Sequence, residues 1–214
     1  MAKRILFQGD SITDGRRKRE LFSSVGASYA GMVTGQLGYE HPGEYEFINR
    51  GISGNRSIDI YARIKSDIIE LKPDYMSILC GTNDVWHDLG GRHDGISAQK
   101  YEMILDLIIS EVKEALPNIK IMVMGSFIVE GTATQATEEE PDRWDILRTE
   151  IPLRAAAAER VAKKHGLPFI PLQEKFDEAC KLAPPSYWVR DGFHPTAKGH
   201  WIIKEEWIKA FKNL

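Results

Sequence analysis

The 214-residue sequence contains few of the features that mark secreted, metal-binding or nucleic-acid-binding proteins. Its two cysteines, Cys80 and Cys180, form no CxxC motif and are too few to build a zinc site. Both lie in apolar stretches, so we expect buried, reduced thiols of a cytoplasmic protein. The formal net charge is −3, and the composition as a whole favours neither a nucleic-acid nor an anionic-lipid partner.

Long apolar runs are also missing. No run approaches the roughly 20 residues that span a bilayer, and the apolar run near the first residue is too short for a signal peptide. Hydrophobic residues make up 43% of the chain and charged residues 28%, a balance typical of globular domains. We therefore expect one domain over 1–214 with no membrane partner.

Sequence motifs of several enzyme classes are absent. The chain has no GxSxG elbow, so the α/β-hydrolase family is not indicated. It also lacks HExxH, P-loop and GxGxxG motifs, which argues against a zinc protease, a nucleotide triphosphatase and a dinucleotide enzyme. The histidine pairs 87/93 and 194/200 have no recognisable metal-ligand spacing, so we expect neither a metal nor a cofactor.

Short apolar runs alternate with longer amphipathic ones along the chain. The apolar runs predict five strands, at 4–8, 44–49, 74–80, 119–125 and 167–171. The amphipathic runs predict helices at 28–37, 57–71, 97–116, 154–165, 174–182 and 195–211. Near-continuous apolar strands separated by helices predict an α/β protein whose parallel sheet is covered on both faces.

Two stretches between these elements look like long loops, at 12–27 and 129–149. Each carries a run of like charges, basic at 16–19 and acidic at 138–140. We interpret both runs as solvated loop surface, with substrate or subunit contact as the weaker alternative.

Polar clusters stand where ligands bind in open α/β sheets, beyond the carboxyl ends of the strands. The clusters are at 10–11, 49–56, 81–84 and, before the last helix, 191–195. Their residue types suit acyl transfer. A serine such as Ser11 needs an adjacent base, which His194 can supply, and Asp191 can fix the tautomer of that histidine.

The same clusters offer donors for a developing oxyanion. The N–H groups of Ser11 and Gly54 and the side-chain amide of Asn83 would supply three. Each cluster also has a simpler explanation, since residues 9–11 could be a turn and helix cap and Asn83 an Asx turn. Four such clusters in this order are improbable as accident.

The clusters resemble the four sequence blocks of the GDSL esterases, or SGNH hydrolases. The matching segments are Gly9-Asp10-Ser11-Ile12, Gly54, Gly81-Thr82-Asn83-Asp84 and Asp191-Gly192-Phe193-His194-Pro195. Ile12 replaces the leucine of the family name, an apolar exchange without consequence. The resemblance implies a flavodoxin-like three-layer α/β/α sandwich. It implies Ser11 as nucleophile, Gly54 and Asn83 in the oxyanion hole, and His194 with Asp191 as base and orienting group. Residues 49–55 and 83–86 are similar to bacterial acetylxylan esterases within the family.

Candidate substrate-binding residues lie close to these blocks. They are Asp10, Trp86 and Trp188; an indole could stack on a sugar ring or wall an acyl pocket, and the alternative is plain packing. Trp201 and Trp207 on the last helix fit the core or a subunit contact, which allows a homo-oligomer.

The resulting hypothesis is a cofactor-free serine esterase that acts on small esters, acetyl esters on a carbohydrate or similar alcohol first. One alternative keeps the mechanism and changes the substrate, to a lysophospholipase or an acyl-thioesterase, and would need a long apolar groove. The alternative from another class is a non-catalytic flavodoxin-like binding module.

Overall fold

A single five-stranded sheet organises the molecule. The computed structural model describes residues 2–214, and its sheet has the order β2-β1-β3-β4-β5 with every neighbouring pair parallel. The strands are β1 (Lys3–Gly9), β2 (Tyr45–Asn49), β3 (Tyr75–Leu79), β4 (Lys120–Met124) and β5 (Phe169–Ile170). The prediction of a five-stranded parallel sheet is confirmed, although β5 is shorter than the apolar run that predicted it.

Helices cover both faces of the sheet. They are α1 (Ser11–Asp14), α2 (Tyr29–Glu40), α3 (Ser57–Ala62), α4 (Thr82–Trp86), α5 (Ala98–Ala115), α6 (Arg143–His165), α7 (Leu172–Cys180), α8 (Pro185–Trp188) and α9 (Ala197–Phe211), with a π-helical turn at Lys65–Ile69 after α3. Buried residues of α3, α5 and α6 form one core cluster, and those of α2, α7 and α9 form another. The molecule is thus a three-layer α/β/α sandwich. No helix in residues 2–214 is long and apolar enough to cross a membrane.

Side-chain alternation along the strands divides the core between these two layers. In β1, Leu6 faces the α3/α5/α6 cluster, whereas Ile5 and Phe7 face the α2/α7/α9 cluster. In β4, Val123 faces the α3/α5/α6 cluster and Met122 faces the α2/α7/α9 cluster. Because both faces are buried, successive residues can all be apolar, which explains the near-continuous apolar runs of the sequence.

Helix α6 begins well before the predicted start at 154. It starts at Arg143 and continues through Pro152, so the prediction of a loop at 129–149 is wrong for residues 143–149, which are helical. Leu147, Ile151 and Arg154 are buried on this helix at helical spacing. Leu147 and Ile151 share a third apolar cluster with four buried residues outside the helix, Val85, Leu89, Ile128 and Phe193. This packing stabilises the early turns despite the proline, which removes one backbone donor.

The charge runs are only partly solvated. Arg17 is buried and its Nε donates to the carbonyl oxygen of Gly51 at 3.1 Å, so the interpretation as solvated surface is wrong for this residue. Glu140 is half-buried and pairs with Arg143 at 2.5 Å. Both cysteines are free thiols; Cys80 is buried as predicted, but Cys180 is partly exposed.

Candidate active site

A hydrogen-bonded chain of three side chains lies beyond the carboxyl end of β1. The Oγ atom of Ser11 is 2.9 Å from Nε2 of His194, and Nδ1 of His194 is 2.8 Å from Oδ2 of Asp191. Ser11 is the first residue of α1, directly after β1, while His194 and Asp191 lie in the loop before α9. The fold therefore brings together residues separated by 183 positions of sequence.

The loop of Asp191 and His194 is closed by backbone pairing. Val189 and Pro195 form an isolated antiparallel bridge, and the N–H of Arg190 donates to the carbonyl oxygen of His194 at 2.8 Å. The second carboxylate oxygen of Asp191 accepts from the N–H of His194, also at 2.8 Å. This tight turn directs both side chains to the same side.

Hydrogen bonding keeps Asp191 ionised. Partial burial would raise the pKa of this carboxyl, but the hydrogen bonds from the His194 side chain and from backbone N–H groups outweigh burial and hold it well below its usual range. An ionised Asp191 accepts from Nδ1 of His194, which leaves Nε2 as the acceptor for the hydroxyl of Ser11.

Asp10 lies beneath the serine and is buried. Its Oδ1 accepts from the N–H of Ile12 at 3.0 Å and so caps α1, and its Oδ2 lies 3.4 Å from Nδ2 of Asn83. Burial raises the pKa of Asp10 to about 7. The preceding Gly9 has no room for a side chain, because a Cβ there would lie 2.3 Å from the carbonyl oxygen of Leu79.

Asn83 joins two of the predicted clusters. It lies on α4, and its Nδ2 donates to the carbonyl oxygen of Asn55 at 3.1 Å. This bond places the loop that contains Gly54 beside the loop after β3. Within residues 2–214 the N–H of Gly54 donates to no other residue, so it is available to a ligand.

The conformation of Gly54 explains why this position is a glycine. Its φ is +84°, whereas a Cβ would meet nothing within 4 Å. Glycine is therefore needed at position 54 for its left-handed backbone conformation, and not because a side chain would lack space.

Asp84 lies in the matched segment 81–84, and the structure gives this residue a supporting role that was not predicted. This fully buried carboxylate accepts from the N–H and the hydroxyl of Ser57, at the start of α3. Burial raises the pKa of Asp84 to about 6. The contact fixes the loop after β2 against the loop after β3. The available signal was its position in the polar cluster at 81–84, directly after Asn83.

Two cavities meet at the serine and the histidine. The smaller has a volume of about 130 Å³, and the larger one of about 880 Å³. Ser11, Ile12 and His194 line both. The remaining walls of the small cavity are Asp10, Thr82, Asn83, Trp86, Ala133 and Phe193.

The structure separates the two candidate tryptophans. Trp86 lines the small cavity and packs against Phe193 in an edge-to-face arrangement, with ring centroids 5.0 Å apart. Trp188 lines neither cavity and packs against the core cluster of α2, α7 and α9. Trp201 is 55% exposed, whereas Trp207 is fully buried.

Acyl-transfer hydrolases use a serine hydroxyl, an imidazole and an ionised carboxylate joined in one hydrogen-bonded chain, and this site has that arrangement. The model of the GDSL-like lipase/acylhydrolase family matches residues 7–202. The chain belongs to this family and is a carboxylic ester hydrolase.

Known proteins resemble it over nearly their whole length. The acetylxylan esterase of Geobacillus stearothermophilus is 32% identical over 216 aligned positions, which cover 97% of this chain and 93% of that protein. The crystal structure of a candidate GDSL-like lipase from Parabacteroides merdae has a TM-score of 0.88 and 32% identity, covering 99% of this chain and 97% of the other. An α/β hydrolase from the metagenome of Lake Arreo has a TM-score of 0.85 and 26% identity, with the same coverages of 99% and 97%.

Proposed function

We propose that this chain hydrolyses small acetyl esters carried on a carbohydrate or a similar alcohol, through an acyl-enzyme formed on Ser11. The observation that carries the proposal is the hydrogen-bonded chain from Ser11 through His194 to Asp191, which opens onto a small cavity. The similar acetylxylan esterase of Geobacillus supports the choice of ester. Catalytic mutants of that esterase replace a serine in one case and an aspartate in another.

In the first half-reaction Ser11 attacks the ester carbonyl and Nε2 of His194 takes its proton. Asp191 stabilises the imidazolium that forms. The oxyanion accepts hydrogen bonds from the N–H groups of Ser11 and Gly54 and from the amide of Asn83. Nδ2 of Asn83 carries two hydrogens: one is donated to the carbonyl oxygen of Asn55 at 3.1 Å, and the other makes only a long contact with Asp10, at 3.4 Å. The second hydrogen can therefore be donated to the oxyanion while the Asn55 bond is kept.

The second half-reaction reverses the proton transfers. His194 first protonates the departing alcohol, and its neutral Nε2 then activates a water that attacks the acyl-enzyme. The same three donors hold the second oxyanion. No other titratable group is needed for the proton transfers.

The size of the small cavity favours an acetyl group. At about 130 Å³ it is well below the roughly 300–1,000 Å³ of sites that hold drug-sized ligands. A long acyl chain gains about 0.8 kcal/mol for each CH₂ group only if apolar surface buries it. The wall of the large cavity is interrupted by charged side chains, among them Arg16, Arg19 and Glu20. These features weigh against the lysophospholipase and acyl-thioesterase alternatives.

The test is the turnover of p-nitrophenyl acetate by Ser11→Ala, His194→Ala and the double variant. Each single variant should lose on the order of 10³–10⁶ in kcat, and the double variant little more, because the residues act as a unit. Ser66→Ala is the matched control, since this exposed serine lies away from the site. Circular dichroism checks that the variants fold.

If Ser11→Ala kept more than a tenth of the wild-type activity, the nucleophile would be misassigned. Turnover should also fall from acetate to butyrate to octanoate. A steady rise along that series, without acetate release from acetylated xylose, would favour the lipid-ester alternative.

The cytoplasmic location and a homo-oligomeric state stay predictions. The two free thiols support the location, and the exposed Trp201 on α9 supports a subunit contact. Size-exclusion chromatography of the wild type and Trp201→Ala tests the prediction of a homo-oligomer.

A further inference from the structure

The large cavity beside Ser11 is rich in arginine. Four arginines line it, Arg16, Arg17, Arg19 and Arg190, against two carboxylates, Asp14 and Glu20. We infer that the alcohol part of the natural ester carries an anionic group, a carboxylate or a phosphate, that binds in this cavity. The inference rests on the proposed function and adds the chemical class of the alcohol.

The pairing of charges leaves part of this positive charge free. Asp14 pairs with Arg19 at 2.5 Å and also accepts from the N–H groups of Ser53 and Arg17. Arg16 and Arg17 form no ion pair within residues 2–214. The acid that remains, Glu20, is exposed and also unpaired in the described part of the chain.

Arg17 is the most informative of the four. Its side chain is buried, yet only its Nε has a partner in residues 2–214, the carbonyl oxygen of Gly51. Burial lowers the pKa of Arg17 and the neighbouring Arg50 lowers it further, which Asp14 offsets only in part. A guanidinium at a cavity wall whose two terminal nitrogens have no partner in residues 2–214 suits a carboxylate or phosphate, which it can bind through two N–H groups.

Arg190 places a second cation next to the reacting atoms. It precedes Asp191, and its contact with that carboxylate is long, at 3.4 Å. Its side chain is 60% exposed. Ser11 and His194 line the same cavity as the four arginines, so the alcohol part of an ester that occupies this cavity lies among these cations.

The loop that holds Arg16 is fixed before any ligand binds. Arg16 has a left-handed backbone, with φ of 56°, directly after Gly15, which is also left-handed. A Cβ at Gly15 would lie 2.6 Å from the side chain of Ser28, and one at Gly51 would lie 2.4 Å from the backbone of Asp14. Such close packing fixes the backbone from which Arg16 and Arg17 extend, which lowers the entropic cost of ordering this loop around an anion.

Matched aryl acetates test the inference. The carboxylate 4-acetoxybenzoate and 4-acetoxyphenyl phosphate are compared with the neutral methyl 4-acetoxybenzoate. The readout is the ratio of kcat/KM for the anionic ester to that for the neutral ester. Because the leaving groups differ in reactivity, the ratio is compared between variants rather than read alone.

The double variant Arg16→Gln/Arg190→Gln should lower this ratio by about three- to tenfold, the effect of two exposed charge contacts. Both side chains are exposed, so folding is not at risk. Arg160→Gln is the control, an exposed arginine paired with Glu102 on the outer helices, and should leave the ratio as it is. Added salt at 0.5 M should lower the wild-type ratio and hardly change that of the double variant.

If the double variant lowers the ratio for only one of the two anionic esters, the cavity prefers that group, carboxylate or phosphate. If it lowers the ratio for both esters, the result supports an anionic alcohol in general. A ratio that is the same in the double variant and the wild type would overturn the inference. The proposed function would still stand in that case, provided that the enzyme hydrolyses the neutral ester. Failure of the wild type to hydrolyse any of the three esters would instead contradict the proposed function.

Discussion

Replacing Trp86 by alanine should relax the selection of short acyl groups. The indole lines the small cavity of about 130 Å³ and contacts Phe193 edge to face. Truncation to Cβ enlarges the space beside Ser11 without removing a member of the Ser11–His194–Asp191 chain. The substitution therefore separates acyl-group size from chemistry.

The expected magnitude follows from the area that the enlarged cavity can bury. Each additional CH₂ group gains about 0.8 kcal/mol when it leaves water. Room for two such groups, the difference between butyrate and acetate, gives about 1.6 kcal/mol. The butyrate-to-acetate ratio of kcat/KM should then rise by about fifteenfold relative to wild type.

The assay is p-nitrophenyl acetate, butyrate and octanoate turnover by the wild type, Trp86→Ala and Trp201→Ala. Trp201 is the matched control because it is 55% exposed and lines neither cavity. A butyrate-to-acetate ratio that changed by less than twofold in Trp86→Ala would refute the assignment of the small cavity to the acyl group. Equal changes in the two tryptophan variants would refute it as well.

Two further variants address the oxyanion donor and a buried histidine. Asn83→Ala should lower kcat for p-nitrophenyl acetate by about 10²–10³ with little change in KM, because its bond strengthens in the transition state; a pure KM effect would remove Asn83 from the oxyanion hole. Burial lowers the pKa of His200 from 6.5 to about 4, so the stability that this neutral histidine contributes is complete above pH 6.5 and is lost as pH falls toward 4. His200→Asn keeps an acceptor for the N–H of Tyr29 but removes the titrating group. Between pH 7 and pH 5 the unfolding free energy of this variant, measured by urea denaturation, should fall by about 2 kcal/mol less than that of the wild type. Equal falls in the two proteins would contradict this assignment.

The five-stranded parallel sheet and the convergence of the polar clusters could be predicted from sequence. Parallel strands end at one edge of a sheet, so polar residues directly after β1, β2 and β3 must lie near one another. The pairing of Asp191 with His194 was predictable from their spacing before α9. The family resemblance and the helical periodicities led to the same architecture.

Other features depend on tertiary packing. The early turns of α6 are stabilised by the contacts of Leu147 and Ile151 with a distant cluster, which local pattern does not reveal. The burial of Arg17 depends on a bond to Gly51, in a different loop. Two walls of the small cavity, Trp86 at the end of α4 and Phe193 in the loop before α9, likewise come from distant parts of the chain. In each case the partner lies far away along the chain.

The identity of the nucleophile is tested most directly by covalent labelling. The wild type, Ser11→Ala and Ser66→Ala are incubated with a p-nitrophenyl organophosphonate, and intact mass and peptide mapping locate the adduct. We expect one adduct per chain, located on Ser11, in both the wild type and Ser66→Ala. We expect no adduct in Ser11→Ala. An adduct on another residue, or undiminished labelling of Ser11→Ala, would contradict the proposal that Ser11 attacks the ester.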